Sequence, residues 1–272
     1  MDKLNFLTAG MPLATGKGSY PEAFDILRKL NLDGMEMEFV HGVRISDKSK
    51  EFIKENAKNL ILTAHAPFYV NLNSKEEEKI DASVQRIIET IQVGKEVDAF
   101  SITFHAAFYM GKDKETVYKQ VRNQIQRIVN AVGDNNVWIR PETTGKATQW
   151  GDFEEIIKLS KEFEKVLPCI DFSHIHARTA GAYNTYDEFA HVLDRIGTEL
   201  GTFALENFHA HIAGIEYSAK GERHHLNLDE SDMNYKDLLK AMKDFGVKGA
   251  VVCESPNIET DAIILKNYYN SL

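Results

Sequence analysis

Histidines and carboxylates recur along this 272-residue chain at the points where short apolar runs stop. The densest instance is Cys169-Ile170-Asp171-Phe172-Ser173-His174-Ile175-His176, where an apolar run after Pro168 ends in a carboxylate and two imidazoles follow. Similar runs end at His65, His105, Glu142 and Glu254, another carries His209 and His211, and Glu222-Arg223-His224-His225 adds a further cluster. Of the ten histidines, only His41 and His191 lie elsewhere. Nitrogen and oxygen donors without thiolate suit zinc, manganese or iron. A central carboxylate such as Glu142 could bridge two cations, and paired cations clamp the attacking and leaving oxygens of a phosphoester displacement. A lone histidine at a strand end is more often a hydrogen-bonded core residue, and Glu142 could pair with nearby Arg140. Several carboxylates buried together would nevertheless cost on the order of several kcal/mol each without cations, so convergence points to a metal site.

Convergence requires a scaffold that gathers strand ends. The chain alternates between apolar runs and amphipathic stretches throughout. Strands are predicted at Leu4–Ala9, Gly34–Phe39, Leu60–His65, Ala99–His105, Val137–Glu142, Leu167–Asp171, Phe203–His211 and Lys248–Glu254. The clearest intervening helices are Ile80–Val97 and Val117–Val132, with others at Glu22–Leu30, Phe153–Phe163, Tyr186–Leu200, Tyr235–Phe245 and Ile258–Tyr269. Mostly apolar strands alternating with helices predict an α/β fold, a (β/α)8 TIM barrel forming a single domain over residues 1–272. An open doubly wound sheet would usually carry a glycine-rich phosphate turn early on, and Gly10-Met11-Pro12-Leu13-Ala14-Thr15-Gly16 does not fit one. In a barrel the C-terminal strand ends surround one pocket.

The bulk composition narrows the class further. Hydrophobic content of 43% with 27% charged residues describes a globular chain. No apolar run approaches membrane-spanning length, and no leader opens the sequence, so a cytoplasmic protein is expected. Cys169 and Cys253 fall in predicted buried strands and read as core thiols. A net charge of −9 argues against indiscriminate coating of nucleic acid, and nothing demands a partner subunit, so a monomer is expected.

Several strings together resemble the endonuclease IV family, the trinuclear-zinc AP endonucleases of the xylose-isomerase-like barrels. They are Ala64-His65-Ala66-Pro67-Phe68-Tyr69-Val70-Asn71-Leu72, Phe104-His105, Pro141-Glu142-Thr143-Thr144-Gly145, Cys169–His174 with Ala180-Gly181-Ala182-Tyr183, Glu222-Arg223-His224-His225 and Cys253-Glu254-Ser255-Pro256. The resemblance covers nearly the whole chain in the family's order. It implies up to three zinc ions, with manganese possible at one position. One would be held by His65, His105 and Glu142, and a second by Glu142 as a bridge with Asp171, His209 and Glu254. The third would take His174, Glu222 and His224. His209 is chosen because Phe208-His209 matches the family's apolar-histidine pair; His211, on the same strand face, is the fallback. The chain departs from the family at Ala106-Ala107, where Pro-Gly is usual, after the strand-seven histidine, and at Glu222, where aspartate is usual.

The implied activity is metal-dependent cleavage of double-stranded DNA 5′ to abasic sites in base excision repair, with 3′-end processing and Glu142 as the catalytic carboxylate. Arg44, Arg178 and Arg223 could contact phosphates, and Phe68 and Tyr69 could stack in the gap of a missing base. The alternative on the same barrel is a sugar isomerase or epimerase with one divalent metal on Glu142, Asp171, His209 and Glu254, its carboxylates moving protons beside a carbonyl. Such an enzyme has no use for His65, His105, His174, Glu222 and His224 as ligands, and that surplus favours the nuclease.

Overall fold

The computed structural model describes residues 1–272. Its strands are β1 (Leu4–Ala9), β2 (Gly34–Glu38), β3 (Ile61–His65), β4 (Ser101–Phe104), β5 (Ala107–Phe108), β6 (Trp138–Pro141), β7 (Gln149–Trp150), β8 (Ile170–Asp171), β9 (Phe208–Ile212), β10 (Gly214–Ser218), β11 (Gly221–Leu226) and β12 (Gly249–Cys253). Eight of them form one sheet in the order β6-β4-β3-β2-β1-β12-β9-β8, every neighbour parallel. Parallel bridges Ile139↔Val166 and Glu142↔Cys169 join the two edges, so the predicted barrel closes. The two short ribbons, β5 with β7 and β10 with β11, are antiparallel.

Strand alternation explains how an apolar fold keeps a polar interior. Met35, Met37, Leu62, Ala64, Ile102, Phe104 and Ile139 pack into the main core against the helices. Their neighbours Glu36, Thr63, Ser101, Thr103, Arg140 and Glu142 are buried on the other face of these strands, as are His209 and His211 on β9. Leu7, Ala250 and Val252 form a small separate apolar cluster with Ile61 and Phe100.

Helix boundaries agree closely with the periodicity, Tyr186–Leu200 without change. Asp152 and Thr185 open their helices with capping boxes, satisfying amides that the first turn leaves free. Besides the two ribbons, which lie where no strand is predicted, three regions differ from expectation. Thr202–Glu206 is a short helix after Gly201, so the seventh barrel strand begins only at Phe208. Phe172–Arg178, where no helix is predicted, is a helix with Asp171 as its N-cap, the Asp171 side chain accepting from the His174 amide at 2.7 Å. Asp47–Asn56 forms a helix too polar for its periodicity to stand out. No helix is long and apolar enough to cross a membrane.

Gly249 fixes the junction of β12 and β9. Its φ is +133°, and a Cβ there would lie 2.0 Å from the Phe208 carbonyl oxygen. Gly249→Ala is therefore expected to destabilise the protein by about 3 kcal/mol or more, read as a lower urea midpoint. An unchanged midpoint would show that the two strands can separate at this point.

Candidate metal centre

Glu142, at the end of β6, is the hub. Its Oε2 lies 3.2 Å from His65 Nε2, and its Oε1 lies 2.9 Å from His105 Nε2, 3.2 Å from His174 Nδ1 and 3.5 Å from His211 Nδ1. Asp171 Oδ2 is 3.1 Å from His174 Nδ1, and Glu254 Oε2 is 3.3 Å from His211 Nδ1. Thus the ends of β3, β4, β6, β8, β9 and β12 meet, as a closed barrel requires. Arg140 does not neutralise Glu142: it donates instead to the carbonyls of Pro168 and Asn207.

Three expected positions are replaced or lost. His211 takes the place assigned to His209. His209 is two residues nearer the start of the strand, with Nδ1 2.9 Å from Ser101 Oγ and Nε2 3.3 Å from Glu36 Oε2, below the Glu142 cluster. Matching an apolar-histidine pair could not detect that level. Likewise His225 replaces His224. In the ribbon, Tyr217 pairs with Glu222 and Glu216 with His224, so Arg223 is an extra residue and strand alternation slips by one step. The slip turns His224 outward, exposed and 3.2 Å from Glu216, while Glu222 and His225 face His174. Glu222 Oε2 is 3.7 Å from His174 Nε2, and the His225 ring centroid is 5.6 Å from that of His174.

Arg178 is the third correction. Its Nη1 donates to the carbonyls of Thr144 and Lys146 and to Thr144 Oγ1, and its Nη2 to the Gln149 carbonyl, so most of its donors tie down the loop after β6 and are not directed at a phosphate. Arg44 is exposed, and Arg223, although exposed, contacts Glu216 at 3.0 Å. Phe68 and Tyr69 are 55% and 53% exposed with ring centroids 4.2 Å apart, and His41 meets the Phe68 ring. His176 lies outside the cluster, between the Ala182 carbonyl and Asp232. The carboxylates of β2 are not among the candidates named from the sequence. Glu36 is fully buried, with Oε1 3.0 Å from His211 Nε2. The Gly-Met-Glu-Met-Glu-Phe alternation of β2 carried the signal, since its apolar residues face the helices and its carboxylates the barrel.

The electrostatics follow from this crowding. Burial alone would raise the Glu142 carboxyl, but His105 and His211 hold it well below its ordinary value. Burial likewise opposes ionisation of Glu254, yet His211 brings it down to about 2. Asp171 goes the other way: burial, with Glu254 and Glu142 nearby, pushes it well up despite His174. Burial would discharge His65 and His174, but Glu142 for the first and Asp171 for the second lift each to about 10. With no cation present, the carboxylates thus favour the protonated form of these imidazoles.

A zinc ion bonded at about 2.0–2.3 Å can be shared only by atoms less than about 4.6 Å apart. The Glu142 contacts of 2.9–3.5 Å meet that limit. His65, His105 and Glu142 offer one set of mutually close donor atoms, Glu142, Asp171, His211 and Glu254 a second, and Asp171, His174 and His225 a third. His211 Nδ1, His225 Nε2 and Glu254 Oε2 are buried without hydrogen-bond partners, which is unusual unless a further group binds them. The donors present fit divalent cations.

A family model for the xylose isomerase-like TIM barrel matches residues 24–268. The chain belongs to that family. An uncharacterized protein of Methanocaldococcus jannaschii is 46% identical over 271 residues, 99% of this chain and 98% of that one. A protein of Thermoplasma volcanium named "Probable endonuclease 4" is 27% identical over 190 residues, 66% of this chain, which spans 63% of that relative's length. Among solved structures, endonuclease IV from Thermus thermophilus aligns with a TM-score of 0.76 at 16% identity, covering 98% of this chain and 100% of that one. A D-tagatose 3-epimerase-like protein aligns at 0.74 and 20% identity, covering 97% and 98%. At such identities the structural likeness establishes the fold of this xylose isomerase-like barrel and leaves its chemistry to the site.

The strand slip at Arg223 can be tested directly. His225→Ala, dialysed against zinc and assayed by elemental analysis, is expected to retain fewer zinc ions per chain than the unsubstituted protein, whereas His224→Ala retains the same number. Loss of zinc from His224→Ala alone would contradict the observed register.

Proposed function

We propose that this protein is a metal-dependent phosphodiesterase of the endonuclease IV type that incises double-stranded DNA 5′ to abasic sites and also processes 3′ ends. The observation that carries this reading is the surplus of donors. Glu142, Asp171, His211 and Glu254 would suffice for one cation, yet His65, His105, His174, His225 and Glu222 surround the same carboxylates. His65, His105 and Glu142 would hold one cation, Glu142, Asp171, His211 and Glu254 a second, and His174 and His225, with Glu222 or Asp171, a third. Zinc is the best match, with manganese possible at one position. Bound there, the cations would supply Lewis acidity that polarises a phosphate and makes water a nucleophile near neutral pH.

The chain's own residues supply placement. Glu142 presents its two oxygens to different imidazoles, Oε2 to His65 and Oε1 to His105, and so links two donor sets rigidly. Thr103 Oγ1 donates to Glu142 Oε2 at 3.4 Å, and Asp171 is fixed by the helix it caps. Phe68 and Tyr69, on the loop after β3, would stack where a base is missing, each stacked base being worth ~1–3 kcal/mol. Arg44 and Arg223 are left as the candidate phosphate contacts among the arginines named from the sequence.

The second reading is a sugar isomerase or epimerase. It is favoured by the Glu142-Asp171-His211-Glu254 set, in which three carboxylates and one imidazole surround one possible cation. Incubating the zinc-loaded protein with a duplex carrying one synthetic abasic site separates the two. Incision 5′ to the lesion, lowered more than about 100-fold in Glu142→Gln with the circular dichroism unchanged, is the expected result. No incision, together with manganese-dependent turnover of a ketose, would establish the second reading instead.

A further inference from the structure

We infer that Glu36 is a positioning residue, whose carboxylate holds the Nε2 edge of His211 so that Nδ1 faces Glu142, Asp171 and Glu254; this rests on reading that cluster as a cation site. Three buried atoms carry the inference. Glu36 Oε1, His209 Nε2 and His211 Nε2 have no hydrogen-bond partner of good geometry. Yet Oε1 lies 3.0 Å from His211 Nε2, and Oε2 lies 3.3 Å from His209 Nε2. Buried polar groups are nearly always satisfied, and Glu36 is the carboxylate within reach of both imidazoles, with the Cys169 thiol the other group beside them. Both separations are within hydrogen-bonding reach, so only the orientation of each ring stands between it and its own bond.

The rest of the chamber fits a carboxylate that gathers donors. Thr63 Oγ1 donates to Glu36 Oε2 at 2.7 Å. Ser101 Oγ, 2.9 Å from His209 Nδ1, can donate there and leave the His209 proton on Nε2, facing Glu36. Glu36, His209 and His211 are wholly buried, so the arrangement is sealed from water. A hydrogen bond to Nε2–H fixes the His211 tautomer and leaves the Nδ1 lone pair directed at the cluster, raising its basicity as a ligand. A buried carboxylate kept only for stability would be poorly explained, because an apolar side chain of similar size would avoid its desolvation.

Cobalt(II) provides the test. The metal-free full chain is titrated with cobalt against a chelator while the visible spectrum is recorded, for the unsubstituted protein, Glu36→Gln and Glu36→Asp. The expected result is about 10–100-fold weaker cobalt binding and a displaced visible band in Glu36→Gln, with Glu36→Asp intermediate. Equal affinity and an unchanged spectrum, with only the melting temperature of the metal-free protein lowered, would overturn the inference and leave Glu36 a structural residue. Should Glu36→Gln fail to fold, unsubstituted affinity and spectrum in Glu36→Asp would overturn it equally. A cobalt–thiolate charge-transfer band lost in Cys169→Ser would also overturn it, since Cys169, His209 and His211 would then themselves be ligands. An unsubstituted protein that binds no cobalt would instead remove the cation reading beneath it.

Discussion

Carboxylates packed side by side in a dry barrel constrain everything else in this molecule. Glu36, Glu142 and Asp171 are almost completely buried, and Glu254 is 14% exposed. Like charges at this spacing repel strongly where the dielectric is low, and removing each from water is costly. The protein answers with imidazoles rather than with arginine or lysine. Its one buried guanidinium in the barrel, Arg140, is committed to backbone carbonyls. Imidazole differs from a fixed cation in that it can give up its proton and become a ligand. The same side chains can therefore balance the site with protons or with metal ions. That interchangeability links the electrostatics to the chemistry.

The barrel accomplishes the gathering by register. Parallel strands bring His65, Glu142, Asp171, His211 and Glu254 to one rim although they are remote in sequence. The helix beginning at Phe172 adds His174 by using Asp171 as its cap, so one side chain both ends a strand and starts a helix. The β10–β11 ribbon then folds over the rim and contributes Glu222 and His225. A one-cation sugar enzyme would need only the first of these devices. His65 and His105 on the rim, His174 on the capping helix and Glu222 and His225 on the ribbon are the donors beyond that need.

Much of this was legible in the sequence because burial and chemistry leave separable marks. Apolar runs ending in His or Glu marked the strand ends, and the closed barrel followed from their alternation with helices. What the sequence hid were single-residue shifts. His209 and His211 share a strand face, and only the level at which the rim falls decides between them. His224 and His225 are adjacent, and the extra residue at Arg223 that reverses their directions has no composition signature. Arg178 looked available for phosphate because nothing in a sequence reports that three backbone carbonyls surround it. Glu36 lies mid-strand rather than at a strand end, and only its placement between two methionines marks it as inward-facing.

The most direct test of the central claim, that cations stand among these carboxylates, is a crystal of protein purified without chelator, with anomalous differences measured above and below the zinc absorption edge. Peaks within bonding distance of Glu142, at His65 and His105 on one side and at Asp171, His211 and Glu254 on the other, are predicted, with a further peak at His174 and His225. A well-ordered site with no anomalous peak, the carboxylates paired only with imidazolium groups, would contradict the account.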